Sequence, residues 1–255
     1  MTWDPEQYLK FAQPRLRPAL DLLTRVTLEA PRTIYDLGCG AGNVTRLLAA
    51  RWPDAAITGV DDSAPMLEEA KRQSTRIAWR NQGIAQWTAD APADLIYSNA
   101  ALHWLPDHAD LFPRLARMLA PKGVLAVQMP HNFGAPSHTL VADTVRDGPW
   151  RSRLEHLLRP PPVQEPHFYY RVLAPVAATV DIWESEYLHV LRGSNPVKEF
   201  VKGSWLKQFL DVLEPREGAA FEDEYARRVL AAYPAENDGA TLFPFRRLFL
   251  VATKG

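Results

Sequence analysis

The chain has 255 residues, 47% of them hydrophobic and 23% charged, with a net charge of -1. That length buries one sizeable core, or a core with an insert, and a near-zero charge without any long basic run argues against a nucleic-acid partner. No apolar run approaches the ~18 residues of a membrane span, and the opening Met1-Thr2-Trp3-Asp4 lacks the basic and apolar regions of a secretion signal, so a cytoplasmic protein with no membrane partner is expected.

The first thirty residues hold an aromatic and arginine cluster, Trp3, Tyr8 and Phe11 with Arg15 and Arg17. Apolar residues at 16, 19, 20, 22 and 23 then give a helix able to pack on a sheet. Ile34-Tyr35-Asp36-Leu37 is a short β-branched and aromatic run, and Val44 to Arg51 has helical spacing. Gly38-Cys39-Gly40-Ala41-Gly42-Asn43 lies between them, so the segment reads as strand, tight loop, helix. Residues 56–60 form a second strand that ends in Asp61-Asp62-Ser63, before a helix holding Met66, Leu67 and Ala70. Arg76 to Arg80 reads as a third strand and Asp94 to Ser98 as a fourth. Ala109 to Leu119 is helical, Pro121-Lys122-Gly123 is a turn, and Val124 to Met129 is a buried fifth strand.

Residues 130–175 are rich in Pro, His and aromatics, and no histidine pair there has metal-ligand spacing, so no metal is expected. Thr179 to Val190 alternates like a strand and Leu242 to Thr253 gives a last one. The helical pattern of Val197 to Tyr233 between them is too long for a hairpin loop and suits a cap. The alternation predicts an α/β fold: a Rossmann-like, mostly parallel seven-stranded sheet with helices on both faces, its final strand antiparallel, and a helical cap. The expected domains are an N-terminal lid over 1–30, the Rossmann-like domain over 31–194 and 241–255, and the cap over 195–240.

Glycine is needed where the backbone takes positive φ, or where a ligand approaches too closely for a Cβ. The helix after such a loop turns free N–H groups toward whatever sits above the strand. An ordinary strand-to-helix turn is the plain alternative. The dinucleotide fingerprint G-x-G-x-x-G requires glycine at position 43, where this chain has Asn43. Asp61, a little over twenty positions beyond Gly38, stands where a carboxylate takes both ribose hydroxyls of an adenosine. Its other reading is a helix N-cap, for which Asp62 and Ser63 are as well placed. The single cysteine, Cys39, cannot form an internal disulfide and reads as a small buried filler.

The spacing G-x-G-x-G, with Asp36 two residues ahead of Gly38, resembles the first motif of class I S-adenosylmethionine-dependent methyltransferases, acidic-x-Gly-x-Gly-x-Gly. The resemblance implies S-adenosylmethionine held by Asp36, Gly38, Gly40 and Asp61, with Met66 over the adenine and Asn99 at the end of the fourth strand facing the sulfonium. The family commonly has an acidic residue in the loop after the third strand, and here none stands between Arg80 and Asp90, which leaves the adenine to backbone groups near Gly83 and Ile84 or to Gln82. Asn99-Ala100-Ala101-Leu102 is not the Asn- or Asp-Pro-Pro-aromatic motif of amino-methyltransferases, so an amine acceptor is demoted.

Further blocks narrow the likeness. Trp3-Asp4-Pro5, Trp104-Leu105-Pro106-Asp107-His108, Gln128-Met129-Pro130, Val180-Asp181-Ile182-Trp183 and Arg247-Leu248-Phe249 together resemble the bacterial trans-aconitate 2-methyltransferase family over nearly the whole chain. That implies methyl transfer to one carboxylate of trans-aconitate, giving a monomethyl ester and S-adenosylhomocysteine. A carboxylic acid with a pKa near ~4 is already ionised at neutral pH, so no catalytic acid or base is expected. The site must instead align a carboxylate oxygen about 3 to 3.5 Å from the methyl carbon and exclude water. A small polycarboxylate also needs cations around it. Arg15, Arg17 and His103 are the candidates, with Tyr8 and Trp104 as walls for the planar alkene. A methyltransferase of a different small acid, phenol or carbon centre, and a non-catalytic adenosine-binding protein, share the same loop features.

Overall fold

The computed structural model describes residues 12–255, with side chains from residue 16 onward. The expectations placed on Trp3, Tyr8 and Phe11 and on the Arg15 side chain lie outside the described residues.

Helix α1 (Ala12–Thr24) leads into β1 (Thr33–Leu37), α2 (Asn43–Arg51), β2 (Ala56–Asp61), α3 (Ala64–Gln73), β3 (Ala78–Asn81) and β4 (Ala93–Asn99). A 3-10 turn at Leu102–Trp104 precedes α4 (His108–Arg117) and β5 (Leu119–Pro130). Then come α5 (Pro136–Asp147), α6 (Arg151–Leu154), α7 (Pro166–Leu173) and β6 (Thr179–Arg192). Helix α8 (Pro196–Val201), a π-helical stretch at Lys202–Leu206, α9 (Lys207–Leu210), α10 (Pro215–Ala232) and β7 (Ala240–Thr253) complete the chain.

The seven strands form one sheet in the order β3-β2-β1-β4-β5-β7-β6. Strands β1 to β5 pair in parallel and β7 runs antiparallel to β5, as the strand and helix alternation predicts. Ile34, Leu37, Leu95, Ile96, Leu125 and Val127 are all fully buried, as expected of strands covered on both faces. The chain moves outward from β1 in one direction and from β4 in the other. In an open α/β sheet the crevice for a ligand lies at that reversal, beyond the carboxyl ends of the strands. Strand β5 begins earlier than its apolar run: Ala93 pairs with Leu119 but Leu95 with Val124, so Pro121-Lys122-Gly123 is an irregularity inside the strand, with Lys122 at φ 63°.

Helix α1 buries Ala19, Leu22 and Leu23, while Leu20 is exposed. The Tyr97 hydroxyl of β4 donates to Ala19 O at 2.6 Å, which places α1 on the same sheet face as Tyr97. The Arg51 guanidinium donates to Leu23 O and Val26 O at 2.5 and 2.7 Å, which satisfies carbonyls at the end of α1.

The chain divides into two compact units. The sheet unit comprises residues 13–130, 162–185 and 247–255, and the helical unit comprises residues 131–161 and 186–246. The helical unit is wider than the 195–240 that the sequence marks as a cap. Its core joins Val141 and Val145 of α5 to Phe200, Phe209, Phe221 and Val229. A polar knot fixes the start of α5. The Ser137 N–H donates to the Tyr233 hydroxyl at 3.2 Å and the Tyr225 hydroxyl donates to Ser137 O at 2.8 Å. The neighbouring His138 is held down at about 4 by burial, so its ring is neutral near pH 7. Among the described residues, no helix is long and apolar enough to cross a membrane.

Candidate active site

The glycine loop after β1 is tied to β2 through its backbone. The N–H groups of Gly38 and Cys39 donate to Val60 O at 2.8 and 3.1 Å. Gly38 has φ +75°, and a Cβ there would lie 2.1 Å from the Ala101 Cβ, so this glycine makes room for the segment after β4. Gly40 differs. At φ +53° its missing Cβ would meet none of the described residues within 4 Å, which leaves space over the loop where a ligand can rest on the main chain.

Asp61 braces this space. Its Oδ2 accepts from the Gly40 N–H at 2.8 Å and its Oδ1 from the Ser63 N–H at 2.9 Å. The N-cap of α3 is Ser63 and not Asp61. A carboxylate has about four acceptor sites, so the two backbone donors on Asp61 leave lone pairs for ribose hydroxyls. Beneath the loop Asp36 is buried and accepts from the Thr45 hydroxyl at 2.6 Å. Burial pushes Asp36 up to about 7 against the lowering effect of Thr45, and the nearby charge of Asp61 adds to the rise. Burial likewise raises Asp61, whose backbone donors oppose the shift. Cys39 is half-buried rather than fully enclosed, and burial raises its thiol well out of the reactive range, which fits a filler and not a nucleophile.

Met66 is half-buried in the first turn of α3, whose core contacts are made by Leu67 and Ala70. Gly83 and Ile84 are half-buried as well, and the Ile84 Cδ1 lies 3.6 Å from where a Gly38 Cβ would stand. The loop carrying them is held by a residue that local sequence reasoning passes over. Arg114 of α4 donates to three carbonyls: Trp87 O at 2.6 Å, Ile84 O at 3.2 Å and Ala85 O at 3.1 Å. The Gln82 N–H donates to Asp61 O at 3.0 Å, so the same loop is anchored on the end of β2.

At the end of β4, Asn99 is half-buried and its Oδ1 is enclosed without a hydrogen-bond partner. Ala100 follows at φ 54°, a strained conformation for a residue with a Cβ. The 3-10 turn then presents His103, which is buried, and Trp104, which is 46% exposed, their rings 4.6 Å apart. His108 supports this turn. Its Nε2 lies 3.0 Å from Leu102 O and must donate, because a carbonyl only accepts. Its Nδ1 therefore accepts from the Tyr169 hydroxyl at 2.7 Å, and burial lowers its pKa in agreement with a neutral ring. Arg17, expected beside the substrate, projects from the exposed side of α1 with its guanidinium 3.9 Å from Asp21 and its side chain 73% exposed. The cause is the helix period: burial of residues 19, 22 and 23 turns position 17 outward.

Gly38, Gly40, Asp61, Ile84 and Ala101 thus come together at the reversal of strand order, with Asp36 below and Asn99 at the adjacent strand end. Open space over Gly40, a braced carboxylate and the N-terminus of α2 fit an adenosyl cofactor. Among the described residues, no group of three or more His, Cys, Asp or Glu side chains is placed to hold a metal.

Residues 34–123 match a family model described as a methyltransferase domain. In fold the chain is similar to phosphoethanolamine N-methyltransferase 2 of Haemonchus contortus, a structure in complex with phosphomonomethylethanolamine and S-adenosylhomocysteine. The TM-score is 0.56 at 16% identity, over 93% of this chain and 52% of that one, about half its length. Sheet order, glycine loop and domain match define the class, a Rossmann-like class I methyltransferase. The chain is 45% identical over 253 residues to the trans-aconitate 2-methyltransferase of Azoarcus sp. (strain BH72), covering 99% of both chains. It is 47% identical over 264 residues to the trans-aconitate 2-methyltransferase of Streptomyces coelicolor, covering 99% of this chain and 87% of that one. The chain belongs to the trans-aconitate 2-methyltransferase family.

Proposed function

We infer that this protein transfers a methyl group from S-adenosylmethionine to a carboxylate of trans-aconitate, giving the monomethyl ester and S-adenosylhomocysteine. The observation that carries this reading is the open cradle over Gly40, braced by Asp61, in a chain 45% identical over its full length to a protein of that name. When bound, S-adenosylmethionine supplies a methyl carbon on a positively charged sulfur. Asp61 takes the ribose hydroxyls with the lone pairs its backbone donors leave. Asp36, Gly38 and Gly40 would form the floor of its site, Met66, Gly83 and Ile84 would hold the adenine, and Asn99 would serve the sulfonium end.

The acceptor carboxylate is ionised at neutral pH, so the residues around it need only orient it and keep water away. Carboxylates that are not methylated still need partners, since buried unpaired charge is costly. His103 and Arg15 are the cations proposed for them, and Tyr8 and Trp104 the walls. Methyl-labelled cofactor offered with trans-aconitate, other small acids and phenols tests the reading. Label is expected to enter trans-aconitate ahead of the other acceptors and to be released by mild alkali, as an ester requires. An alkali-stable product, or preference for a phenol, contradicts the acceptor assignment.

A further inference from the structure

Gln128 is the most anomalous side chain in the sheet unit. It interrupts the apolar run Val124-Leu125-Ala126-Val127 of β5, is 0% exposed, and has both Nε2 and Oε1 enclosed without a hydrogen-bond partner. A buried amide left unsatisfied at both ends is destabilising, and a Leu or Met would fill the same volume without that penalty. Among the described residues, this donor and this acceptor therefore go unused.

The position of this amide points to its purpose. Gln128 pairs with Asn99 in parallel register, and directly paired residues project to the same sheet face. That is the face of Tyr97, whose hydroxyl reaches α1. Asn99 brings a second enclosed oxygen without a partner, and the next residue, Ala100, is strained at φ 54° while its N–H donates to Gln128 O at 2.9 Å. The unsatisfied Gln128 amide, the unpartnered Asn99 Oδ1 and a strained turn thus stand side by side at the carboxyl ends of β4 and β5, next to the glycine loop that Ala101 touches. Strain of this kind persists where surrounding structure over-determines it, and it concentrates at ligand sites.

We propose that Gln128 is an acceptor-binding residue whose amide N–H donates to the carboxylate that receives the methyl group, beside Asn99. The proposal rests on the function inferred above and names the group that orients its nucleophile. A neutral amide suits this task better than a cation. The carboxylate loses its charge as its oxygen bonds to the methyl carbon, so a full positive charge beside it stabilises the ground state more than the transition state. An amide fixes the direction of the oxygen with a smaller penalty of that kind. Charged partners are then reserved for the carboxylates that stay ionised.

The test uses Gln128→Met, a near-isostere without the amide, with Gln128→Leu as a second variant should the first pack badly. Three quantities are read: melting temperature without ligand, calorimetric affinity for S-adenosylhomocysteine, and calorimetric affinity for trans-aconitate in the S-adenosylhomocysteine complex. The expected result is an equal or higher melting temperature, cofactor-product affinity within about twofold of wild type, and trans-aconitate affinity reduced at least about tenfold. A residue that only packs or holds a buried water moves stability and leaves acceptor affinity unchanged. That outcome, with wild type forming the ester, overturns the role of Gln128 and spares the function. Wild-type protein that neither binds nor methylates trans-aconitate overturns the function, and this inference with it.

Discussion

Gly40 and Asp61 divide the work of the cradle: one keeps space clear, the other fixes its edge. Gly40→Val puts a branched side chain into the space over the loop, at φ +53° where such a residue is strained. S-adenosylhomocysteine binding should disappear in calorimetry, while circular dichroism still reports a folded chain with a lowered melting temperature. Asp61→Ala removes the acceptor of the ribose hydroxyls and of the Gly40 and Ser63 N–H groups. Binding should weaken by about 1.5 to 3 kcal/mol, the usual range for hydrogen bonds to a charged group. If both variants bound like wild type, the cradle would lie elsewhere. Asp36 adds a pH signature. Its pKa is raised from 3.8 to about 7, so the folded state holds a proton that the unfolded state releases. The associated stability is complete below about pH 4 and is lost as pH rises through about 7. Asp36→Asn should therefore gain stability relative to ligand-free wild type at about pH 8 and show little gain at about pH 4. Urea unfolding at the two pH values checks this, and an equal difference at both would contradict the buried, protonated Asp36.

At the scale of elements, the cofactor edge depends on contacts far apart in the chain. Arg114 on α4 supports the loop of residues 84–87 through three carbonyls, with the planar fork that lysine lacks. Arg114→Lys should weaken S-adenosylhomocysteine binding by about three- to tenfold and speed amide exchange in residues 84–87. Unchanged exchange there would mean the loop holds itself. These contacts also mark the limit of what the sequence discloses. The glycine spacing and Asp61 are legible because strand, loop and helix signals fall within one short segment. Arg114 is not, because its partners lie about thirty residues earlier and only the packing of α4 joins them. Gln128 is visible in the sequence as a polar residue in an apolar strand, but its lack of partners appears only once both faces of β5 are covered. The outward turn of Arg17 follows from which stripe of α1 packs on the sheet, and a charge pattern alone does not decide that.

Across the whole molecule, the strand alternation up to residue 130 predicts the parallel sheet and its antiparallel final pairing well, because each parallel crossover needs a helix and leaves a period in the sequence. The helical unit is less legible. Helix α5 begins at Pro136, ends before Gly148 and is followed by a Pro-rich stretch, so nothing local announces that residues 131–161 share a core with residues 196–233. The chemistry ascribed to the molecule asks for placement and dryness, with no proton to move at the acceptor. The most direct measurement of that claim is carbon NMR of trans-aconitate after incubation with the protein and S-adenosylmethionine carrying a carbon-13 methyl group. One new methoxy signal, coupled through oxygen to a single carboxyl carbon, is the predicted result. A labelled methyl bonded to carbon, or no transfer to trans-aconitate while another acid is methylated, would contradict it.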